Sequence, residues 1–394
     1  MTKVLVVNEA TGERMPFLRG VLVQSLVSTG LSFEAAYRLA QAVKNDLGET
    51  STITSGKLRE QVIATIEAKF GREMSQAFAN RSPAVMETRV ATSSVSKPFS
   101  VGILTRSLEA CAIRHDLALQ TARSVQAELQ AGDRAEIDHL ELRRLVCKNL
   151  LDGGSRQAAN RYLSWRLFKE SGKPLIILLG GITGTGKSTL AAELAFRLDV
   201  VRTQSTDMLR EIVRGYLAAE EVPTLSYSSF EAWKGLAFEH PPPGESPSTD
   251  HLIMGFESQF SIVKKGLEAT ISRAVKERLD LIIDGIHVIP PRLDLELLEK
   301  EALMVPTMLV IASREILGQR LAGRSREQPS RGGSKYLMHL DEIWQLQSHL
   351  VGIAEEGDIP LLYNWEMKDT LFQMLTRVND CVGAEFPADV DALL

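Results

Sequence analysis

A glycine-rich loop carries the strongest chemical signal in this sequence. Residues 181–188 read GITGTGKS and match the pattern G-x-x-x-x-G-K-[ST]. Glycines let backbone N–H groups turn inward around a phosphate, and the helix that follows adds the positive end of its dipole. Lys187 is expected to reach the β- and γ-phosphates of ATP, and the Ser188 hydroxyl is expected to bind Mg²⁺. The residues predicted to contact the nucleotide are Gly181, Thr183, Gly184, Thr185, Gly186, Lys187, Ser188 and Thr189.

Two aspartates follow short apolar runs elsewhere in the chain. Asp284 ends the run LDLIID, where a carboxylate together with Ser188 is suited to a magnesium site. Asp207 follows a short predicted strand, which favours a position beside a phosphate-binding crevice. It is a candidate for positioning or deprotonating a phosphate acceptor, and Arg210 for pairing with an anionic part of that acceptor. The alternative interpretations are a solvated strand end or a helix cap for Asp284, and a helix cap at Thr206 or Asp207.

A basic segment over residues 314–337 is typical of a lid that closes over phosphates. Its cations are Arg314, Arg320, Arg324, Arg326, Arg331 and Lys335. We predict Arg324 as catalytic and Arg331 and Lys335 as substrate-binding, although the pattern leaves open which arginine acts. The alternative is a solvated basic helix followed by a loop.

Ser229 and His287 are weaker candidates for substrate binding. Ser229 lies in the stretch PTLSYSSFEAW, where it is equally suited to beginning a helix. His287 follows Asp284 closely, but a hydrogen-bonded structural histidine fits its surroundings as well.

These residues need a scaffold, and the pattern from residue 173 onward predicts a parallel sheet. The short apolar runs PLIILLGG, LDLIIDG, TMLVIAS and IPLLYN alternate with helical segments near 188–198, 257–276 and 337–355. Buried strands that alternate with helices indicate crossover connections in an α/β domain with flanking helices.

The preceding part of the chain contains an internal repeat. A segment that begins at Pro16 matches one that begins at Pro98, at an offset of 82 residues without a gap. This predicts a duplicated, mostly helical module. The first copy opens with a predicted hairpin that turns at Thr11–Gly12, and the second hairpin is expected to be degraded because it lacks the glycine. Helix is predicted from about 140 to 170, with a break at Gly153–Gly154.

Composition narrows the class of protein. The 394 residues carry a net charge of −5, which gives no support for general nucleic-acid binding. No apolar run reaches the length of a membrane span, and the N-terminal apolar run is too short for a signal peptide. The three cysteines have no zinc-like spacing and fit a reducing cytoplasm.

Residues 173–364 resemble the archaeal-type 2-phosphoglycerate kinase family. The resemblance rests on the segments GGITGTGKST, STDMLRE, PTLSYSSFEAW, IMGFESQ, IIDGIHVIP and SKYLMHLDEIWQLQSHLVGIAEEGDIPLLYN. It implies transfer of the ATP γ-phosphoryl group to the 3-hydroxyl of 2-phosphoglycerate, with Asp207 and Arg210 in the acceptor site. The stretch PFSVGILTRSLEACAI resembles the ATP-cone-like module of that family, which is present twice here instead of once.

The resemblance divides the chain into three parts. They are an ATP-cone-like domain at 1–90, a second, degenerate copy with a linker helix at 91–165, and a P-loop kinase domain at 166–394. The expected partners are a phosphorylated small-molecule acceptor, ATP and Mg²⁺, without nucleic acid or membrane, and the repeats leave homo-oligomer formation open. The alternatives are a kinase of inositol phosphates or another phosphometabolite, and a nucleotide-sensing regulator with little kinase activity.

Overall fold

The computed structural model describes residues 4–7, 9, 14–27, 31–47, 52–79, 88–91, 96–131, 136–237, 241–242, 245–327 and 333–393. The chain folds into two compact units. The first holds the described residues up to Thr88, and the second holds those from Arg89 onward.

The first unit combines a small sheet with four helices. Its elements are β1 (Leu5–Val7), β2 (Arg14–Pro16), α1 (Arg19–Val27), α2 (Phe33–Asp46), β3 (Thr52–Thr54), α3 (Ser55–Phe70) and α4 (Arg72–Ala79). Strand β1 pairs antiparallel with β2 and parallel with β3, so the predicted hairpin is confirmed. Its predicted turn, Thr11–Gly12, lies outside the described residues. Side chains of Leu26, Leu39 and Ile66 form the centre of the core.

The second unit begins with the same order of elements. They are β4 (Arg89–Ala91), β5 (Ser96–Pro98), α5 (Val101–Ala110), α6 (His115–Ala131), β6 (Glu136–Asp138), α7 (His139–Asp152) and α8 (Arg156–Ser171). The strand order β5-β4-β6 repeats the order β2-β1-β3 of the first unit. The predicted repeat therefore corresponds to two modules with the same topology, and α7 and α8 are separated at Gly153–Gly154 as expected.

The expectation of a degraded second hairpin is wrong. Strand β4 pairs antiparallel with β5, with Arg89 opposite Pro98. Arg89 Nη2 donates to the Ser96 carbonyl at 2.6 Å, and Ser96 Oγ donates to Glu136 Oε1 at 3.0 Å. Backbone pairing and these side-chain bonds join the strands, so the hairpin does not depend on the glycine of the first copy.

The rest of the second unit is an α/β domain, as the alternating pattern predicted. Its strands are β7 (Leu175–Gly180), β8 (Arg202–Ser205), β9 (Leu281–Asp284), β10 (Leu303–Val310) and β11 (Leu361–Tyr363). Its helices are α9 (Lys187–Leu198), α10 (Thr206–Tyr216), α11 (Thr249–Lys276), α12 (Glu296–Glu299), α13 (Arg314–Glu327), α14 (Gly333–Met338), α15 (Leu340–Glu356) and α16 (Met367–Glu385). Short 3₁₀ helices occupy Pro223–Ser226, Ser229–Gly235, Pro290–Arg292 and Val390–Ala392.

All five strands of this sheet are parallel, in the order β11-β10-β7-β9-β8. The chain leaves the central strand β7 and crosses to β8 at one edge, while β10 lies on the other side of β7. Loops diverge at such a point, which opens a crevice at the carboxyl ends of the strands. The glycine-rich loop follows β7 at this crevice.

The second module and the α/β domain share one apolar core. It joins Leu104 and Leu108 of α5 to Leu190 and Leu194 of α9 and to Val378 of α16. The sequence-based boundary between residues 165 and 166 falls within α8, which packs against α16.

Polar contacts fix the same interface. Arg197 Nη1 donates to Glu109 Oε2 at 2.6 Å, and Asn379 Nδ2 donates to the Ala110 carbonyl at 2.8 Å. The module is therefore packed directly against the helix that follows the glycine-rich loop.

Among the described residues, no helix is both long and apolar enough to cross a bilayer.

Candidate active site

The glycine-rich loop runs from the end of β7 at Gly180 to the start of α9 at Lys187. Gly184 and Gly186 have φ angles of +86° and +90°, which other residues rarely adopt. A Cβ atom on Gly186 would also lie 2.7 Å from Asn364 Nδ2. Backbone conformation and space therefore both require glycine at position 186.

Lys187 closes over its own loop. Its Nζ donates to the Ile182 carbonyl at 2.6 Å and lies 3.4 Å from Thr185 Oγ1. Thr185 is fully buried, and its hydroxyl donates to the same Ile182 carbonyl at 3.0 Å. The side chain of Lys187 therefore lies within the loop, and its contact with phosphate stays a prediction. Of the other predicted contacts, Gly181 is buried, Thr183 is half-buried in the loop and Thr189 is exposed in the first turn of α9.

Ser188 and Asp284 meet as the metal hypothesis requires. The register of the sheet places Asp284 opposite Leu179, beside the start of the loop. Ser188 Oγ donates to Asp284 Oδ2 at 2.8 Å. Burial raises the pKa of Asp284, the hydrogen bond from Ser188 and the charge of Lys187 partly offset this, and the charge of Asp207 adds to the increase. A hydroxyl and a carboxylate are hard oxygen donors, so this pair fits Mg²⁺.

Asp207 lies at the same edge of the sheet. Strand β8 places Ser205 opposite Asp284, and α10 begins at the next residue. Ser205 caps this helix, since its Oγ accepts from Met208 N at 3.2 Å, so the cap is neither Thr206 nor Asp207. Asp207 is therefore exposed in the first turn and is close enough to affect the pKa of Asp284. Its role toward an acceptor stays a prediction.

Arg210 ties α10 to the 3₁₀ helix Pro223–Ser226. Its Nη1 donates to the Leu225 carbonyl at 2.7 Å, and its Nη2 lies 2.7 Å from Glu211 Oε1. The side chain is only 15% exposed. A guanidinium has five N–H donors, so these contacts leave capacity for an anion. That anion contact stays a prediction.

His287 is fully buried, and both of its ring nitrogens have partners. Nδ1 lies 3.2 Å from Thr206 Oγ1, and Nε2 lies 2.9 Å from Gln259 Oε1. Phe256 stacks on the ring. Burial lowers the pKa of His287 to about 4, so the ring is neutral at neutral pH. This is the hydrogen-bonded structural histidine that the sequence left open as an alternative to a substrate contact.

Arg320 is the lid-segment arginine that the described side chains place at the glycine-rich loop. Its Nη1 lies 3.5 Å from the Thr185 carbonyl, and its Nη2 donates to the carbonyls of Asn364 and Trp365, the latter at 3.2 Å. Arg314 instead pairs with Asp341. The side chain of Arg324 and the whole of Arg331 lie outside the described residues, so their predicted roles stay predictions. The sequence signal for Arg320 was its place two turns into the helix after β10.

Lys335 and Ser229 lie on neighbouring segments. Lys335, on α14, forms an ion pair with the buried carboxylate of Glu231, in the 3₁₀ helix that begins at Ser229. Burial alone would raise the pKa of Glu231, but hydrogen bonds from Lys234 and Lys335 outweigh it and lower that pKa. Substrate contacts of Lys335 and Ser229 stay predictions.

Sequence reasoning missed Asn364. Its Nδ2 donates to the Thr185 carbonyl at 2.7 Å, and its Oδ1 accepts from Thr370 Oγ1 at 2.9 Å. Both side chains are almost fully buried. Asn364 therefore braces the glycine-rich loop from the end of β11. The available signal was a polar residue that directly follows the apolar run IPLLY.

Comparison of the sequence with known proteins places the chain in a family. No family model matches the chain. The 2-phosphoglycerate kinase of Pyrococcus horikoshii is 40% identical over 285 residues, which cover 72% of this chain and 90% of the relative. The enzyme of that name from Methanopyrus kandleri is 34% identical over 296 residues, with 74% of this chain and 86% of the relative covered. The one from Methanocaldococcus jannaschii is 32% identical over 287 residues, with 73% and 89% covered. The chain belongs to the 2-phosphoglycerate kinase family.

Proposed function

We propose that this protein transfers the γ-phosphoryl group of ATP to the 3-hydroxyl of 2-phosphoglycerate, giving 2,3-bisphosphoglycerate and ADP. Family membership supports the acceptor, because relatives such as those at 40% and 32% identity are named for it. The observation that carries the chemistry is the meeting of Lys187, Ser188 and Asp284 at the carboxyl end of β7. This arrangement is suited to binding a nucleoside triphosphate.

The loop and Lys187 hold the donor. Backbone N–H groups of residues 181–188 and the start of α9 attract the phosphates. The Lys187 ammonium lies within the loop, where it donates a hydrogen bond to the Ile182 carbonyl. When ATP is bound, the ammonium can donate to phosphoryl oxygens instead. Ser188 and Asp284 would hold Mg²⁺, which when bound neutralises phosphate charge. We place the catalytic contribution of these side chains in positioning and charge stabilisation.

Asp207 and Arg210 serve the acceptor in this proposal. The acceptor oxygen forms a bond to the γ-phosphorus while the bond from that phosphorus to the β–γ bridging oxygen breaks. The hydroxyl proton passes to Asp207, which is exposed at the same edge as Asp284. Arg210, on the same helix, binds the phosphate that the acceptor already carries.

Among the arginines of the lid segment, we assign stabilisation of the phosphate charge to Arg320 in preference to Arg324. Arg320 already contacts the carbonyls of Thr185 and Asn364 at the loop, so a short movement would bring its guanidinium to the phosphates. Three other residues of this segment remain candidates for contacts with the phosphates or the acceptor: Arg324, Arg331 and Lys335. Parallel alanine variants of Arg320 and Arg324 decide between them, since the acting arginine should lower kcat more than it raises the KM for ATP.

The two N-terminal modules fit a regulatory or assembly region of ATP-cone-like type. Their shared topology supports a common origin. The segment aligned with the relative from Pyrococcus horikoshii covers 72% of this chain but 90% of that relative.

The thiols of Cys111, Cys147 and Cys381 are free, which suits the cytoplasm we expect for the protein.

An acceptor screen with γ-labelled ATP tests the proposed function. The panel contains 2-phosphoglycerate, 3-phosphoglycerate, glycerate and inositol phosphates, together with a reaction without acceptor. We expect label transfer to 2-phosphoglycerate, and none with Lys187→Ala. Lys173→Ala is the control, because that lysine pairs with Glu385 away from the loop. Preferred labelling of an inositol phosphate, or ATP hydrolysis alone, would overturn the proposal.

A further inference from the structure

The hydrogen bonds around Gln259 define how its side-chain amide is oriented. The Nε2 atom lies 2.7 Å from the Thr224 carbonyl and 3.0 Å from the Tyr227 carbonyl. Both partners only accept hydrogen bonds, so the NH₂ group must face them. The Oε1 atom of Gln259 therefore faces His287 Nε2, at 2.9 Å.

This orientation selects one tautomer of His287. Because Gln259 Oε1 only accepts, His287 Nε2 must carry a proton. The fully buried ring is neutral, so Nδ1 has a free electron pair and accepts from the Thr206 hydroxyl at 3.2 Å. Hydrogen bonds thus run in one direction, from Thr206 to His287 to Gln259 and on to the carbonyls of Thr224 and Tyr227.

Thr206, the first donor in this series of hydrogen bonds, has little freedom to move. It is fully buried. Its hydroxyl oxygen lies so close to Gly285 that a Cβ atom at position 285 would be 1.8 Å from it, so only glycine fits there. Gly285 in turn follows Asp284 and donates its N–H to the Leu179 carbonyl at 3.0 Å. Thr206 is therefore held between the end of β9 and His287, directly before Asp207.

The same segments are linked a second time through Arg210, which donates to the Leu225 carbonyl. We infer that His287 is a positioning residue: through Thr206 and Gln259 it fixes the start of α10, with Asp207 and Arg210, against the 3₁₀ helix Pro223–Ser226. This inference rests on the proposed function for the acceptor side of the reaction. It assigns His287 no contact with substrate, because both ring nitrogens and one ring face are occupied within the protein.

Kinetics separate this role from a general structural one. His287→Phe keeps an aromatic ring against Phe256 but removes both hydrogen bonds. Thr206→Val removes the hydroxyl at nearly constant shape, and Thr206→Ser keeps it. We expect His287→Phe and Thr206→Val to lower kcat/KM for 2-phosphoglycerate about 10- to 100-fold at saturating ATP, with ATP affinity changed less than about 3-fold.

Two comparisons control the kinetic result. Thr206→Ser is expected to retain most of the acceptor kcat/KM that Thr206→Val loses. Thr270→Val removes a hydroxyl that bonds only to its own helix, at the Gly266 carbonyl, and should change neither parameter. A loss of ATP affinity as large as the loss of acceptor kcat/KM would overturn the inference, as would equal activity of the Val and Ser variants at position 206.

The tautomer provides a readout that does not depend on the acceptor. Nitrogen NMR of the ¹⁵N-histidine-labelled full chain, with His287 assigned from the Phe variant or from the signal that Thr206→Val shifts, should show a neutral ring protonated at Nε2 between pH 6 and 8. A protonated ring, or a proton on Nδ1, would overturn the relay. If the wild type did not phosphorylate 2-phosphoglycerate but His287 was the Nε2–H tautomer, the proposed function would be wrong. The series of hydrogen bonds from Thr206 through His287 to Gln259 would still be supported.

Discussion

Ser188 Oγ donates a 2.8 Å hydrogen bond to Asp284 Oδ2, which joins the first turn of α9 to the end of β9. Two neighbouring parallel strands create this contact, because β7 leads into the loop that carries Ser188 and β9 ends at Asp284. Removing either side chain should therefore affect the same function, the binding of the metal that accompanies ATP.

Asp284→Asn should weaken magnesium binding. We expect kcat to fall about 10- to 100-fold and the Mg²⁺ concentration for half-maximal rate to rise, since the amide lacks the carboxylate charge. The measurement is the initial rate as a function of Mg²⁺ at fixed ATP. Asp199→Asn is the matched control, because Asp199 is an exposed residue in a left-handed conformation that asparagine also tolerates. An unchanged Mg²⁺ dependence in Asp284→Asn would remove Asp284 from the metal site.

The same variant should be slightly more stable without metal. Burial raises the pKa of Asp284, so its ionised form destabilises the folded state above that pKa, and the cost disappears as pH falls through it. Asp284→Asn should have a higher free energy of unfolding than the wild type at pH 7 in Mg²⁺-free buffer, and the difference should shrink toward pH 4. Urea titrations at both pH values check the sign. A loss of stability at pH 7 would show that the carboxylate contributes favourably.

Asn364→Ala should loosen the glycine-rich loop. It removes the donor to the Thr185 carbonyl and the acceptor for Thr370, so we expect a loss of about 1–3 kcal/mol in unfolding free energy and a higher KM for ATP. Thr370→Val and the double variant complete a mutant cycle. Because the side chains touch, the two losses should not add. Additive losses would mean that Asn364 and Thr370 act independently.

The loop could be predicted from sequence because its chemistry is local. Eight consecutive residues carry the glycines, Lys187 and Ser188, and the apolar run and helical stripe on either side define their context. The parallel sheet was predicted for a similar reason, since its strands other than β8 are short apolar runs. Leu190, Leu194 and Leu198 are buried on one stripe of α9 as that pattern requires.

The braces around the loop are contacts between distant parts of the chain. Asn364 is 179 residues from Thr185, and Gln259 is 28 residues from His287. These contacts depend on which strands lie next to β7 in the sheet. A single sequence does not specify the order of parallel strands. Arg320 was one of six cations in its segment, and only the side of α13 that faces the loop distinguishes it from Arg314.

Arg210→Ala should impair use of 2-phosphoglycerate much more than binding of ATP. By the cost of losing a charged hydrogen bond, the loss should be on the order of 2–4 kcal/mol in transition-state binding. The measurement is kcat/KM for the acceptor at saturating ATP, with ATP affinity determined separately. Arg214→Ala is the control, since Arg214 lies on the same helix and pairs with Glu211 at the surface. A defect confined to ATP binding would place Arg210 on the nucleotide side of the crevice.

Truncation should distinguish the two N-terminal modules. Deleting residues 1–88 removes one compact unit, so the remaining chain should stay folded and keep measurable phosphotransfer activity. Deleting residues 1–172 exposes the core that Leu104 and Leu108 share with α9, so this shorter chain should aggregate or melt well below the first. Circular dichroism melts and sedimentation of both chains provide the comparison. A stable, active product of the longer deletion would show that the second module is dispensable for folding.

The central claim is that the acceptor is 2-phosphoglycerate and that its existing phosphate is recognised. The most direct test is the ratio of kcat/KM for 2-phosphoglycerate to that for glycerate, measured with saturating ATP and Mg²⁺, with the product identified by ³¹P NMR. We predict a ratio above about 100, from the loss of a charged contact on the order of 3 kcal/mol, and a product with phosphates on both the 2- and 3-oxygens. Equal use of the two acceptors, or a single phosphate in the product, would contradict the claim.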